Sequence, residues 1–138
     1  MRVRVKKTHE NAVIPQLAYY GDACVDLVAV RKWRDSKGNL CFGTGLALEI
    51  PQYHVGLIFP RSSITKTDLR LGNCVGVIDS GYRGEVIVKF DCIGEKSYEV
   101  GDRIAQLMLV QIPSINFVEV ASLSETERSR NSFGSSGR

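Results

Sequence analysis

The sequence lacks any long apolar run. No stretch approaches the roughly 18 consecutive apolar residues that a membrane-spanning helix requires. The first ten residues, MRVRVKKTHE, are charged where a signal peptide has its apolar segment. The sequence therefore predicts a cytoplasmic protein that does not contact a membrane.

A strong excess of charge of one sign is also missing. The formal net charge is only +3, and the basic residues are scattered apart from those in residues 2–7 and the C-terminal arginines. Nucleic-acid-binding surfaces concentrate many more lysines and arginines on one face. We therefore expect no nucleic-acid partner and favour a small anionic ligand.

Zinc-ligand spacings and the common phosphate-binding loop are absent as well. The cysteines lie far apart and the two histidines stand outside any cluster of zinc ligands: Cys24, Cys41, Cys74, Cys92, His9 and His54. No GxxxxGK[ST] segment is present. These absences argue against a zinc hydrolase and a P-loop protein, and they predict reduced, mostly buried cysteines.

The 138 residues suffice for one domain with one core. After Val120 the sequence becomes rich in Ser, Gly and charged residues. Such a segment buries too little apolar surface to offset the entropy lost on ordering. We expect a β domain over residues 1–121 and a flexible C-terminal arm over 122–138.

Short β-branched runs, punctuated by Gly, Pro, Asp and Asn, predict an all-β barrel or sandwich. The expected strands are 2–6, 25–31, 46–50, 54–59, 73–78, 84–90 and 104–112. Hairpin turns are expected at 36–39 and 79–81, and one short helix at 63–70. Gly43 and Gly45 suit bends or bulges.

The segment Phe-Pro-Arg-Ser-Ser ends a strand and opens the expected helix. Arg61, Ser62 and Ser63 offer a guanidinium, two hydroxyls and free backbone N–H groups, which together suit an anion. An ordinary helix start with a surface arginine explains the segment equally well.

Two further segments carry candidate carboxylates. Asp79 lies at an expected turn, where a carboxylate can accept a proton from water, and Tyr82 follows it with a ring that can floor a sugar pocket. Asp26 begins a strand and can hold a metal-bound water. Each position also has a common structural explanation, as turn or strand-end chemistry.

Gln106 and the C-terminal arm complete the candidate residues. Gln106 lies inside a strand, where glutamine more often faces solvent. The arm contains Phe133 beside Gly134, Ser135 and Ser136, with arginines around it. Arginine and hydroxyl groups suit phosphate oxygens, and a phenyl ring suits stacking on a flat base.

Taken in order, five segments resemble the motifs of the trimeric dUTPase family, and they span nearly the whole chain. These segments are DACVDL at 22–27, PRSS at 60–63, GNCVGVIDSGYRGEV at 72–86, GDRIAQL at 101–107, and Arg128 followed by FGSSG at 133–137. The first departs from the family in Cys24 and Val25, and the linker after Arg128 is poor in glycine.

The resemblance implies an antiparallel jelly-roll-like domain that forms a homotrimer with shared sites and hydrolyses dUTP to dUMP and pyrophosphate with Mg²⁺. It implies that Asp79 is the general base, that Asp26 acts near the metal through water, and that Tyr82 lies under the deoxyribose. Uracil would be read by Asn73 and by the backbone around Val77 and Ile78.

The remaining roles that the resemblance implies concern the phosphates and the arm. Arg61, Ser62, Ser63 and Gln106 would handle the phosphates. Phe133 would stack on uracil, while Arg128, Gly134, Ser135 and Ser136 would close over the phosphates. The alternatives are a dCTP deaminase-like enzyme of the same fold, a protein-binding regulator that keeps this fold, and a purely structural jelly roll.

Overall fold

A computed structural model describes residues 1–127 and 129–130. Nine strands and one short 3₁₀ helix form this part of the chain. The strands are β1 (Arg4–Lys7), β2 (Val25–Val28), β3 (Arg31–Arg34), β4 (Leu40–Glu49), β5 (His54–Phe59), β6 (Leu69–Leu71), β7 (Gly76–Ile78), β8 (Glu85–Cys92) and β9 (Arg103–Gln111), and the helix spans Ser62–Lys66.

The strands form two antiparallel sheets that pack face to face. Sheet 1 has the order β1-β4-β8-β6, and β3 also pairs with β4. Sheet 2 has the order β2-β9-β5-β7. The expected all-β, antiparallel, jelly-roll-like fold is thus confirmed.

The core lies between the sheets and follows from the alternation of side chains along each strand. On β8, Val86, Val88 and Phe90 are buried while the residues between them are more exposed. The Phe90 ring meets Phe42 of β4 edge to face, with 5.7 Å between ring centroids. This contact joins neighbouring strands of sheet 1 on the face that is turned to the core.

Several strand boundaries differ from those expected, two of them by the most. The chain changes sheets at Ala29 and Val30: the Ala29 N–H donates to Asp102 beside β9, and the Val30 N–H donates to Gly43 on β4. One continuous apolar run therefore divides into β2 and β3. Strand β4 begins at Leu40 rather than at 46. Its first residues were not predicted as strand because the register shift after Gly43 interrupts the regular strand pattern.

The expected bulge at Gly45 is present. Its φ is +67°, a left-handed conformation that favours glycine, and its N–H donates to Glu85 Oε1 at 2.8 Å. A side chain at this position would also press on His9 and Ala12. Gly45 therefore lets β4 bend while it stays paired with β8.

The expected helix at 63–70 is shorter and earlier. It ends at Lys66, and residues 69–71 form a strand instead. The reason is Asp68, whose Oδ2 accepts hydrogen bonds from the backbone N–H groups of Glu95 and Lys96 and so holds the chain against that loop.

The turn at 79–81 is present, but it does not form a hairpin. It joins β7 of sheet 2 to β8 of sheet 1, and these strands pair with other partners. Turn residues alone do not distinguish a hairpin from a corner between two sheets. The corner leaves a recess beside Val77 and Ile78.

The expectation of mostly buried cysteines is wrong. All four are free, but only Cys41 is buried, and Cys74 is exposed on a turn with a φ of +60°. Burial raises the pKa of the Cys41 thiol. In the part of the chain that the structure describes, no helix is long and apolar enough to cross a membrane.

The predicted turn at 36–39 closes the β3–β4 hairpin, and Asp35 holds it. The Asp35 carboxylate accepts hydrogen bonds from the Asn39 side chain, from Lys89 and from the backbone N–H groups of Asn39 and Lys37. These bonds, that of the Asn39 side chain foremost, lower the pKa of Asp35 to about 2.

We predict that Asp35 makes stability depend on pH between about 4 and 2. Its folded-state pKa lies below the unfolded value of about 3.9, so its contribution is complete above that value and is lost as the pH falls through 2. Urea unfolding of wild type and Asp35→Asn from pH 5 to 2 should show a stability difference that shrinks with acid. A difference independent of pH contradicts this account.

Candidate active site

The residues expected to handle phosphates lie together at one end of sheet 2. Gln106 on the inner strand β9 lies opposite Asp26 on β2 and opposite Phe59 on β5. Its side-chain amide donates to the Pro60 carbonyl at 2.9 Å. The register therefore brings Asp26, Gln106 and the start of the Pro60–Ser63 segment to one place.

Arg61 is held in a fixed orientation by Asp26. Its Nε and Nη2 donate to the two Asp26 oxygens at 2.7 and 3.2 Å. Its Nη1 donates to Ser63 Oγ at 3.2 Å and to the Arg103 carbonyl at 3.4 Å. Of the five guanidinium N–H groups, one on Nη2 makes no hydrogen bond to residues 1–127 or 129–130.

Arg103 is a site residue that the sequence reasoning did not name. Its Nη1 donates to Asp26 Oδ2 at 3.3 Å, so one carboxylate lies between two guanidinium groups. The cluster carries a net charge of about +1, which favours an anion. Arg103 lies three residues before Gln106 in the motif-like segment at 101–107, and this position could have identified it from the sequence.

Ser62 and Ser63 differ in exposure and in hydrogen bonding. Ser63 Oγ is 2.9 Å from the hydroxyl of the buried Tyr98, a second residue that the sequence reasoning missed. Ser62 is exposed at the first position of the 3₁₀ helix. Within the described residues no hydrogen bond occupies the Ser62 hydroxyl, so this hydroxyl can donate to a phosphate.

A recess of about 360 Å³ opens between β7 and β8. Asn73, Gly76, Val77 and Ile78 line one wall of it, and three of them, Asn73, Val77 and Ile78, are the residues for which the resemblance implies contact with a base. The Asn73 amide lies beside Gly76, where a side chain would meet Ile58. The recess is large enough for a flat base and offers the Asn73 amide as a polar contact.

Asp79 and Tyr82 lie on an adjacent recess. Asp79 is exposed, and its carbonyl accepts from the Tyr82 N–H at 3.0 Å. The Tyr82 hydroxyl donates to the Glu85 carbonyl at 3.1 Å, which fixes the ring against the turn. Ile87, a residue that the sequence reasoning did not name, lines both recesses.

Within one chain, the residues around Gln106 and Arg61 lie far from the recesses beside Ile78 and Asp79. Gln106 lies level with Phe59, whereas Ile78 lies level with Gly56, two strands away. Strand geometry places the Cα atoms of Gln106 and Ile78 about 14 Å apart. Asp79 follows Ile78 on the side away from Gln106.

Several expected site residues fall outside the described part of the chain: Arg128, Phe133, Gly134, Ser135 and Ser136. Their roles stay predictions. Within residues 1–127 and 129–130, no group of three or more His, Cys, Asp or Glu side chains is arranged to hold a metal ion.

The fold and the site together define a β-sandwich enzyme that acts on a nucleotide. A base-sized recess lies beside an exposed carboxylate, and a cationic cluster with free donors suits phosphate. The model of the dUTPase family matches residues 10–137. The chain belongs to the dUTPase family and is a dUTP diphosphatase.

Individual relatives agree with this assignment. The deoxyuridine 5'-triphosphate nucleotidohydrolase of Nocardia farcinica is 40% identical over 140 residues, covering 98% of this chain and 85% of the relative. That of Rhodococcus erythropolis is 37% identical over 142 residues, covering 99% and 87%. The Staphylococcus bacteriophage 80alpha dUTPase with dUpNHpp has a TM-score of 0.83 and 28% identity, covering 99% of both chains.

We predict that Asp26→Asn destabilises the fold. The Asp26 and Arg61 side chains are each 26% exposed, and that of Arg103 is 60% exposed. Removing the carboxylate charge therefore leaves the partly desolvated Arg61 guanidinium beside a second cation without a counter-charge. The expected loss is about 1–3 kcal/mol of unfolding free energy, below the cost for a fully buried pair. Urea unfolding at neutral pH measures it.

Glu49→Gln is the matched control, because it breaks an exposed pair with Arg4 whose side chains are 84% and 44% exposed. We expect this variant to lose less than about 0.5 kcal/mol. Equal losses in the two variants would show that the Asp26 cluster is an ordinary surface ion pair.

Proposed function

We propose that this dUTP diphosphatase works through a water molecule that Asp79 activates. Asp79 accepts a proton as the water oxygen attacks the α-phosphorus, and the bond to the bridging oxygen of the β-phosphate breaks. The products are dUMP and pyrophosphate. In the cell this reaction would keep uracil out of DNA and supply dUMP for dTMP synthesis, in the cytoplasm.

The location of Asp79 is the observation that supports this proposal most strongly. It is an exposed carboxylate, it follows the strand that lines the base recess, and it shares its own recess with Tyr82. A nucleotide with its base beside Asn73 and its sugar over Tyr82 has its α-phosphate near Asp79. General bases act at such hydrogen-bonding distances from the water they deprotonate.

The base and sugar contacts follow from the same recesses. The Asn73 amide, together with the backbone near Val77 and Ile78, would bind the uracil edge. The Tyr82 ring, held by the bond from its hydroxyl to Glu85, would pack under the deoxyribose and leave no room for a 2′-hydroxyl. These contacts make the pocket selective for uracil on a deoxyribose.

The phosphates would bind the cluster around Arg61. Ser62, Ser63 and Gln106 supply neutral donors, and Arg61 supplies charge and its free N–H. Because Asp26 and Arg103 already orient Arg61, little ordering is left to be done when the ligand binds.

The residues present are compatible with Mg²⁺ held mainly by the substrate. Mg²⁺ keeps several waters and takes few carboxylates when phosphates are available. The Asp26 carboxylate accepts three hydrogen bonds from arginines, which leaves one lone-pair direction for a metal-bound water. When bound, the metal would offset triphosphate charge and fix its geometry.

The C-terminal arm would complete the site. Phe133 is proposed to stack on uracil, and Arg128, Gly134, Ser135 and Ser136 to meet the terminal phosphates. Closure of such an arm would exclude competing water from the reaction.

We further propose a homotrimer in which each site takes residues from different chains. A nucleotide running from Asn73 toward Asp79 extends toward the His54 end of β5, whereas Arg61 follows the Phe59 end of the same strand. The phosphates therefore point away from the Arg61 cluster of their own chain. A neighbouring chain can supply that cluster.

Exposed apolar surface supports this assembly. The outer face of sheet 2 carries Leu57, Met108 and Val77, which are paired side by side, and Val77 is 59% exposed. Phe117 and Leu123, after β9, are 92% and 86% exposed. Apolar surface of this kind is typical of subunit contacts.

Asp79→Asn should abolish dUTP hydrolysis while preserving nucleotide binding. Asparagine keeps the size of the side chain but cannot take up a proton at neutral pH, so we expect the rate to fall about 10²–10⁴-fold. Release of pyrophosphate from dUTP with Mg²⁺ measures activity, and titration with dUpNHpp measures binding.

Glu95→Gln removes an exposed carboxylate whose oxygens make no hydrogen bond within the described residues, and it should keep full activity. Hydrolysis by Asp79→Asn at more than a tenth of the wild-type rate would rule out Asp79 as the base. Loss of dUpNHpp binding would instead indicate a damaged pocket.

Mixing two inactive variants tests the shared site. Asp79→Asn and Arg61→Ala chains, unfolded together and refolded, should regain activity because some sites then combine an intact Asp79 from one chain with an intact Arg61 from another. Random mixing in equal amounts predicts about one quarter of wild-type activity.

The matched control refolds each variant alone, which should give no recovery. If the mixture also stays inactive while it elutes as a trimer, both residues must act from the same chain.

A further inference from the structure

A second cationic recess lies behind the Asp79 turn, away from the base pocket. It measures about 1010 Å³ and is open to solvent. Three segments form it: the chain start through β1, the end of β4 with the turn after it, and the turn between β7 and β8. Its charged residues are Arg2, Arg4, Arg83 and Glu49.

The charges in this recess do not balance. Arg4 pairs with Glu49 at 3.1 Å, which uses the one carboxylate that the described residues contribute to its walls. Arg2 and Arg83 form no ion pair within residues 1–127 and 129–130. Two guanidinium groups without a counter-charge on one concave surface raise the local positive potential and attract anions.

Arg83 is already positioned for a ligand. Its Nη1 donates to the carbonyls of Ser80 and Tyr82 at 2.6 and 2.9 Å. Its Nε and Nη2 make no hydrogen bond within the described residues, and the Nε–H and one Nη2–H lie side by side along one edge of the planar group. That side matches the two-oxygen geometry of a phosphate.

We propose that this recess binds a small phosphate anion, and pyrophosphate is the probe because its two phosphoryl groups can each meet one guanidinium group. The anion would bridge Arg2 and Arg83. Ser80 and Gly81 belong to the recess and directly follow Asp79, so an anion bound there touches the turn that carries the proposed base. The binding site itself does not depend on the reaction assigned to Asp79.

Isothermal titration of pyrophosphate into protein saturated with dUpNHpp, without Mg²⁺ and at constant ionic strength, tests the proposal. The nucleotide analogue fills the proposed active site, so the remaining binding reports the recess. We expect saturable binding that weakens about tenfold or more in Arg2→Ala/Arg83→Ala, because charge-assisted hydrogen bonds are lost. Arg2→Ala alone should weaken it by less.

Arg70→Ala is the matched control, since Arg70 is exposed and makes no hydrogen bond or ion pair through its side chain within the described residues. It should bind pyrophosphate like wild type. ¹⁵N amide spectra should show shifts at Arg2 and Ser80–Arg83. Absence of binding to the saturated wild type, equal loss in Arg2→Ala and Arg70→Ala, or shifts confined to other residues would each overturn the proposal.

The test of pyrophosphate binding in the recess can fail or succeed independently of the proposed function. Failure of dUpNHpp itself to bind would count against the proposed nucleotide site alone. The pyrophosphate titration then proceeds on the free protein, with Arg2→Ala and Arg70→Ala as before.

Discussion

The hydrogen-bond register of β9 with its two neighbours determines where every candidate side chain of sheet 2 lies. It places Gln106 between Asp26 and Phe59, and hence next to the Pro60–Ser63 segment. The same register, continued through β5 to β7, places Ile78 level with Gly56. A slip by one residue would turn Gln106 into the core and Leu107 out of it.

This register places the two sets of candidate residues at opposite ends of sheet 2. Asp26 fixes Arg61 at one end of the sheet, and Asp79 leaves β7 toward the other end. A single chain thus presents the base-sized recess with Asp79 beside it and, separately, the cationic cluster of Asp26 and Arg61. The proposed association of chains would bring the two together and bury apolar surface, so assembly and catalysis would depend on the same contacts.

The fold class could be predicted from the sequence, because strand alternation and turn residues are local signals. The candidate site residues came from the motif resemblance, and their roles stay predictions. Contacts between residues that are distant in the sequence were not predicted. Nothing local marks the change of sheet at Ala29, the pairing of Arg103 with Asp26, or the bond between Tyr98 and Ser63. Asp79 was expected on a hairpin because a corner between sheets needs the same turn residues. The roles of Phe133 and its neighbours rest on resemblance alone.

The most direct measurement of the central claim is a crystal structure of the protein with dUpNHpp and Mg²⁺. The account predicts that each nucleotide has its base beside Asn73 and its α-phosphorus near Asp79 of one chain, while Arg61 and Gln106 of a second chain contact its phosphates. A nucleotide whose base and phosphates are all bound by residues 1–127 of one chain would contradict it.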